Sequence, residues 1–336
     1  MLTPSIAQVA ACLSPLPTLA ALRDEFRRNG QADSPKLVAP LRSHHVIEAP
    51  NKQSGAETHL LTMPAWEMGG LLGIKIVGVN ALNPSRKDNP QPMVQGIYLL
   101  MDSVTGAPLA QFDAQELTFR RTAAVSALAG DYLAQQGATH LGLIGAGAAL
   151  APFVVEMYRA IRPIEKVSLW NRTASKSFPL AEMLNGEGLD VEVVSALDQL
   201  VEQADIVSSC TPSPTPIIKG ALLKPGCHVD CIGGFRPTMR EADDETLVRA
   251  RICVDTLDGV LQEAGDIIVP LAKGVIQRDD ILGDLFDLCS GRLRGRTDND
   301  DITFFKNVGS ALSDLAAAKL VYECLSNNGI DGEIVP

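Results

Sequence analysis

Apolar and polar positions follow three successive rhythms along the 336 residues of the chain. Between 5 and 28 apolar residues recur at helical spacing, and the Asn29-Gly30 pair that follows predicts a C-terminal cap. From about 36 to 112 the rhythm shortens to strand-like runs: Lys36-Leu37-Val38-Ala39, His59-Leu60-Leu61-Thr62-Met63, Gly73 to Val79 and Gly96 to Asp102. Asn83-Pro84-Ser85 and Thr105-Gly106-Ala107-Pro108 are turn signals between them, so a mostly antiparallel sheet is expected. Residues 113–136 then read as one long helix with Ala123, Ala127, Leu128 and Leu133 on a single face.

After Gly137 short apolar runs alternate with helical stretches. The strand candidates are His140–Ile144, Lys166–Trp170, Val191–Val194, Asp205–Cys210, Cys227–Ile232 and Ile252–Asp255. Near-continuous apolar strands separated by helices predict a parallel sheet covered on both faces. The expected class is therefore α/β: a doubly wound Rossmann domain whose sheet runs from about 137 to 303, beside an N-terminal α+β domain. The division expected is 1–120 for the N-terminal domain and 121–305 for the Rossmann domain, with 306–336 returning to the former through the helix Ser310 to Cys324.

Composition narrows the class of ligand. Aromatic residues make up only 4%, which favours an aliphatic α/β interior over an aromatic-rich β-sandwich. Lys and Arg total 29 against 40 Asp and Glu, a formal charge of −11. Such a chain repels nucleic-acid phosphates and anionic lipid, so neither partner is expected, and an anionic ligand needs a local basic cluster. No window reaches the ~20 apolar residues of a membrane span. No Lys or Arg precedes Arg23, so the apolar N-terminus reads as an amphipathic helix rather than a secretory signal. The 7 cysteines are scattered. Cys227 and Cys231 alternate with Val229 and Ile232, as in a buried strand, and no second ligand cluster accompanies them, so no metal is expected. Free thiols and a reducing, cytoplasmic location are the expectation.

The strongest local motif is Leu141-Gly142-Leu143-Ile144 running into Gly145-Ala146-Gly147-Ala148-Ala149-Leu150 and a helix. The first glycine permits the tight turn, and the second lets the backbone approach a pyrophosphate held at the helix N-terminus. Leu150 stands where a third glycine often sits, which implies looser helix–strand packing and leaves the phosphate site in place. The next strand ends in Asn171-Arg172-Thr173, with Lys176 a turn later. An NAD site usually places a carboxylate here for the ribose hydroxyls. A guanidinium instead attracts a 2′-phosphate, so NADPH is predicted, with NADH as the alternative.

Several segments together resemble the ornithine cyclodeaminase/mu-crystallin family across nearly the whole chain. They are Gly73-Ile74-Lys75, Arg121-Thr122-Ala123-Ala124 after Thr118, the Gly145 turn, Pro225-Gly226-Cys227-His228-Val229, Arg236-Pro237 to Arg240-Glu241, Glu263-Ala264-Gly265-Asp266 and Thr303 to Asp314. The resemblance implies a homodimer in which the N-terminal domain supplies substrate residues and dimer contacts and the Rossmann domain holds the nucleotide. It places the substrate carboxylate on Arg42, Lys75 and Arg121, with Lys75 also the candidate catalytic residue; for Arg42 the alternative of a solvated loop arginine stays open. It assigns the cofactor to Gly145, Ala146, Gly147, Ala148, Asn171, Arg172, Thr173, Lys176, Thr211 and Val308, the last in the segment near the nicotinamide. Asp314 is read as a favourable charge in the first turn of its helix, with orientation of Lys75 as the alternative.

Departures from the family pattern choose among its activities. Cyclodeaminases that resemble this chain carry an acid after Gly233-Gly234 and a Glu two residues before Met63-Pro64; here those positions are Phe235 and Leu61. Without these carboxylates the base and a counter-ion for a distal ammonium are missing. Phe235-Arg236-Pro237 instead resembles the ketimine-reductase and mu-crystallin branch. The expected activity is NADPH-dependent reduction of a cyclic imino acid, 1-pyrroline-2-carboxylate or its six-membered homologue. The alternatives, in order, are an alanine dehydrogenase-like enzyme, an ornithine cyclodeaminase and a non-catalytic nucleotide-dependent binding protein. The proton source is left open between Lys75, a water and a nearby histidine, His44 or His45.

Overall fold

The computed structural model of the chain describes residues 1–31, 37–48, 57–80 and 82–327. In order, the elements are α1 (Ile6–Cys12), α2 (Pro15–Gly30), β1 (Leu37–Val38), β2 (Ser43–Ile47), β3 (Thr58–Glu67), β4 (Leu71–Val79), β5 (Val94–Asp102), β6 (Pro108–Asp113) and α3 (Ala114–Leu133). Then come β7 (His140–Ile144), α4 (Ala151–Ile161), β8 (Lys166–Trp170), α5 (Phe178–Gly186), β9 (Asp190–Val193), α6 (Leu197–Gln203), β10 (Ile206–Ser209) and β11 (His228–Cys231). The remainder are α7 (Asp244–Arg249), β12 (Ala250–Val254), α8 (Leu257–Glu263), α9 (Gly265–Lys273), β13 (Ile281–Asp284), α10 (Leu285–Ser290), β14 (Ile302–Lys306) and α11 (Ala311–Asn327). The chain divides into two compact units, Met1–Arg121 with Ser310–Pro336, and Thr122–Gly309.

The first unit is an antiparallel sheet of order β1-β3-β4-β5-β6, with β2 also paired to β3. Alternation along β3 and β4 buries Leu61, Met63, Ala65, Lys75, Val77 and Val79 on one face, against which α11 packs. The opposite face, with Leu60, Pro64, Trp66, Ile74 and Ile76, is half-buried. The helix expected over 5–28 is two helices. Ser14-Pro15 divides it, because Pro15 has no N–H for a continuing helix yet suits the first position of a new one. Lys36, expected to open a strand, lies outside the described residues.

The expectation that all cysteines are free is corrected. Cys12 at the end of α1 forms a disulfide with Cys324 near the end of α11, their Cα atoms 5.9 Å apart. The other cysteines, Cys210, Cys227, Cys231, Cys253 and Cys289, are buried thiols. The disulfide spans 312 residues of sequence, so no local pattern announces it, and free thiols do not argue for a reducing compartment.

The second unit is a parallel sheet of order β13-β12-β14-β11-β10-β7-β8-β9 with helices on its connections. The pattern predicts six strands; the structure has eight, because β14 inserts between β12 and β11 and β13 adds the far edge. Both carry polar residues (Asp284 in one, Thr303 and Lys306 in the other), which hid them from an apolar-run criterion. Chain order reverses between β7 and β10, the place where open sheets of this kind bind ligands at the carboxyl ends of their strands. The core between sheet and helices is aliphatic, with Val207, Val229, Ile252, Val254 and Phe304 fully buried.

Candidate functional site

In the first unit the strand register sets Met63, Lys75, Tyr98 and Phe112 in one row across β3 to β6. All four are buried on the face that meets α11. Lys75 there meets Asp314, one turn into α11, at 2.9 Å to Oδ1 and 2.8 Å to Oδ2. Arg121 Nε donates to the same Oδ1 at 2.6 Å. Relative exposures are 2% for Lys75, 4% for Arg121 and 0% for Asp314. Asp314 is thus the partner of both cations. Of its two readings, the favoured one as a first-turn charge is corrected and the alternative, contact with Lys75, is the one the geometry bears out.

The electrostatics of this cluster are unbalanced toward positive charge. Burial lowers the Lys75 pKa most, the Arg121 guanidinium lowers it further, and Arg42 adds a smaller repulsion, against Asp314 acting upward; the outcome is a value of about 7. Burial alone would raise the Asp314 pKa, but Arg121 and Lys75 hold it below the usual carboxylate range. Among the described residues, Arg121 Nη1, Tyr98 OH and Thr118 Oγ1 are buried without a hydrogen-bond partner. Leaving such donors unpaired is costly, so a buried guanidinium edge with no acceptor marks a place for an anionic oxygen. Tyr98 was not singled out from the sequence; only the register places it opposite Lys75. Burial and the nearby Asp314 charge raise its pKa well above the ordinary value, so it stays a neutral phenol.

The histidines separate by strand face. His44 lies opposite Leu61 and shares the buried face of β3 and β4, whereas His45 lies opposite Leu60 on the other face. His44 Nε2 and His59 Nδ1 are hydrogen-bonded at 2.9 Å. Among the described residues no group of three or more His, Cys, Asp or Glu could hold a metal.

In the second unit β7 ends at Ile144, and the chain turns through Gly145 at φ 86° into α4. The Gly145 and Ala146 N–H groups donate to the Trp170 carbonyl, which ties the turn to the end of β8. A Cβ on Gly147 would lie 2.8 Å from Lys176 Cβ and 3.4 Å from Asn171 Oδ1. Ala148 is half-buried on the rest of the turn. The Gly147 backbone and the loop that carries Asn171, Arg172, Thr173 and Lys176 therefore line one cradle, too narrow there for a side chain. Asn171 Nδ2 donates to the Thr173 carbonyl at 2.8 Å, which shapes that loop and leaves Arg172 and Lys176 exposed. This backbone-lined cradle beside two cations fits a dinucleotide phosphate. Thr211 follows β10, and its methyl would sit 2.9 Å from a Cβ on Gly145. Val308 is buried, and Asp255 Oδ2 accepts its N–H at 3.0 Å and that of Gly309 at 2.7 Å. Phe235 is half-buried with the Arg236 guanidinium 5.4 Å from its ring centroid.

Comparison with known proteins shows the family and the fold. The model of the ornithine cyclodeaminase/mu-crystallin family matches residues 22–329. A Delta(1)-pyrroline-2-carboxylate reductase of Paracoccus denitrificans is 40% identical over 78% of this chain and 82% of its own. The structure of the Thermococcus litoralis Delta(1)-pyrroline-2-carboxylate reductase in complex with NADH and L-proline superposes with a TM-score of 0.88, at 31% identity and 98% coverage of both chains. An archaeal alanine dehydrogenase dimer with bound NAD gives a TM-score of 0.86 at 28% identity, covering 98% of both chains.

Proposed function

This chain belongs to the ornithine cyclodeaminase/mu-crystallin family, and from that premise we propose that it reduces a cyclic imino acid with NADPH. The substrate is 1-pyrroline-2-carboxylate, with 1-piperideine-2-carboxylate next, and the products are L-proline and L-pipecolate. The enzyme is an oxidoreductase acting on CH–NH groups, and a nicotinamide supplies the hydride. The observation that carries the reading is the buried cationic cluster of Lys75 and Arg121 around a single carboxylate, with Arg121 Nη1 unspent. In a chain of charge −11 this is a built receptor for one carboxylate. The names of the relatives at 40% and 31% identity support the same substrate.

Arg121, Lys75 and Arg42 bind and orient the carboxylate. An imine carbon accepts hydride only when its nitrogen carries a proton, and a lysine with a pKa of about 7 holds one at neutral pH for delivery there. Leu61 and Phe235, each apolar where cyclodeaminases carry acids, suit a ring without a distal charge. Arg172 and Lys176 beside the Gly147 turn support NADPH over NADH. The homodimer is part of the reading: the half-buried apolar face of the antiparallel sheet, with Leu60, Pro64, Trp66, Ile74 and Ile76, is the seat of the second copy.

The test is to incubate the protein with NADPH and 1-pyrroline-2-carboxylate, without ammonia, and follow nicotinamide absorbance and L-proline. Consumption with proline formed is expected. No consumption on either imine, with ammonia released from L-ornithine, would overturn the assignment; turnover of an open-chain oxo acid that depends on added ammonia would favour the alanine dehydrogenase reading. For the cofactor, Arg172→Asp should weaken NADPH about tenfold or more while NADH changes little, the scale of lost charge-assisted bonds. Equal effects on the two would show that Arg172 does not meet the 2′-phosphate.

A further inference from the structure

The Arg240-Glu241 and Gly265-Asp266 segments and Lys306 have no part in the assignments above, yet they converge in the second unit. Lys306 Nζ lies 3.1 Å from Glu241 Oε2 and 3.0 Å from Asp266 Oδ2, and all three side chains are fully buried. Their remaining bonds reach selected backbone. Glu241 Oε1 accepts the Ser209 hydroxyl at 2.6 Å and the Thr211 N–H at 2.9 Å, and Oε2 accepts the Gly234 N–H at 2.9 Å. Asp266 Oδ1 accepts the N–H groups of Glu241 at 2.7 Å and Ala242 at 3.0 Å. Backbone packing joins the same points: a Cβ on Gly233 would collide with the Thr211 backbone.

These contacts fall at the carboxyl ends of β10, β11 and β14, on the far side of the Gly145 turn from β8. In a doubly wound sheet a dinucleotide spans the switch point, with its adenosine half toward the second strand and its other half over the opposite strands. Resting on the nucleotide-binding reading above, we infer that Glu241, braced by Lys306 and Asp266, is a positioning residue for the nicotinamide half of the cofactor. It acts through Thr211 and the Gly233-Gly234 segment and not through the adenosine half. A buried ion cluster is a poor device for stability alone, since apolar residues of the same volume often serve as well. Its directed bonds to two loops at one edge of the crevice supply geometry that apolar packing does not.

The experiment measures dissociation constants of wild type and Glu241→Gln by calorimetry for NADPH and for 2′-phospho-ADP-ribose, which lacks the nicotinamide. Glu241→Gln should weaken NADPH about tenfold, the scale of bonds to a charged acceptor, and leave 2′-phospho-ADP-ribose within about twofold. Equal weakening of both would show general structural damage and overturn the inference, as would no change in either. Should wild type bind neither probe, the nucleotide-binding reading itself fails, a separate outcome. If Glu241→Gln does not fold, Ser209→Ala, which removes one donor to the same carboxylate, decides the matter: a smaller loss of about threefold confined to NADPH supports the inference, and equal effects on both probes overturn it.

Discussion

Each unit buries a triad of charged side chains, and the two triads have opposite composition. In the first unit two cations, Lys75 and Arg121, share one carboxylate, Asp314. In the second unit two carboxylates, Glu241 and Asp266, share one cation, Lys306. The second arrangement is nearly saturated, because its carboxylates draw on backbone N–H groups and a serine hydroxyl besides the lysine. Burial would lower the Lys306 pKa, but Asp266 and Glu241 outweigh it and keep the ammonium charged far above neutrality. Burial lowers the Lys75 pKa most, the Arg121 guanidinium lowers it further, and its single carboxylate does not offset them, so it falls to about 7. Two clusters of equal burial thus do different work: surplus positive charge with an unspent donor accepts a ligand and exchanges a proton, while a satisfied cluster braces loops.

Four substitutions test that contrast. The largest effect is expected for Lys306→Met, which leaves Glu241 and Asp266 facing each other; breaking such a buried cluster costs about 3–5 kcal/mol, read as a lowered denaturation midpoint or loss of folded protein. Lys75→Met should shift the midpoint little, because Asp314 keeps Arg121, while kcat/KM for the imine drops about a thousandfold. Comparable stability losses in the two variants would erase the distinction. The smallest effect is a displacement of the pH profile. If protonated Lys75 is the acid, activity falls as pH rises through about 7. Asp314→Asn removes the main influence that raises the Lys75 pKa, so the fall should occur at lower pH. Glu241→Gln, in the other unit, should leave its position unchanged. A limb that stays in place in Asp314→Asn would exclude Lys75 as the titrating acid.

The sequence by itself determined the elements that depend on neighbours in the chain. The strand, Gly-x-Gly turn and helix from His140 to Ile161 are contiguous, and the glycine requirement at 145 is a local matter of dihedral angle. Short strand-like runs between turn signals likewise marked the antiparallel sheet, and family motifs pointed to Lys75 and Arg121. Tertiary structure decided the rest. Asp314 lies 239 residues from Lys75 and 193 from Arg121, so its first-turn position favoured a dipole contact over its pairing with Lys75 until α11 was laid on the sheet. Register across four strands, which no single strand encodes, put Tyr98 beside Lys75 and separated His44 from His45. Glu241, Asp266 and Lys306 stood in the sequence only as parts of segments that carry the family resemblance, because burial of a charged side chain depends on partners supplied by distant segments. Local pattern sets which backbone forms; the pairing of charges in the interior is settled only when the chain closes around them.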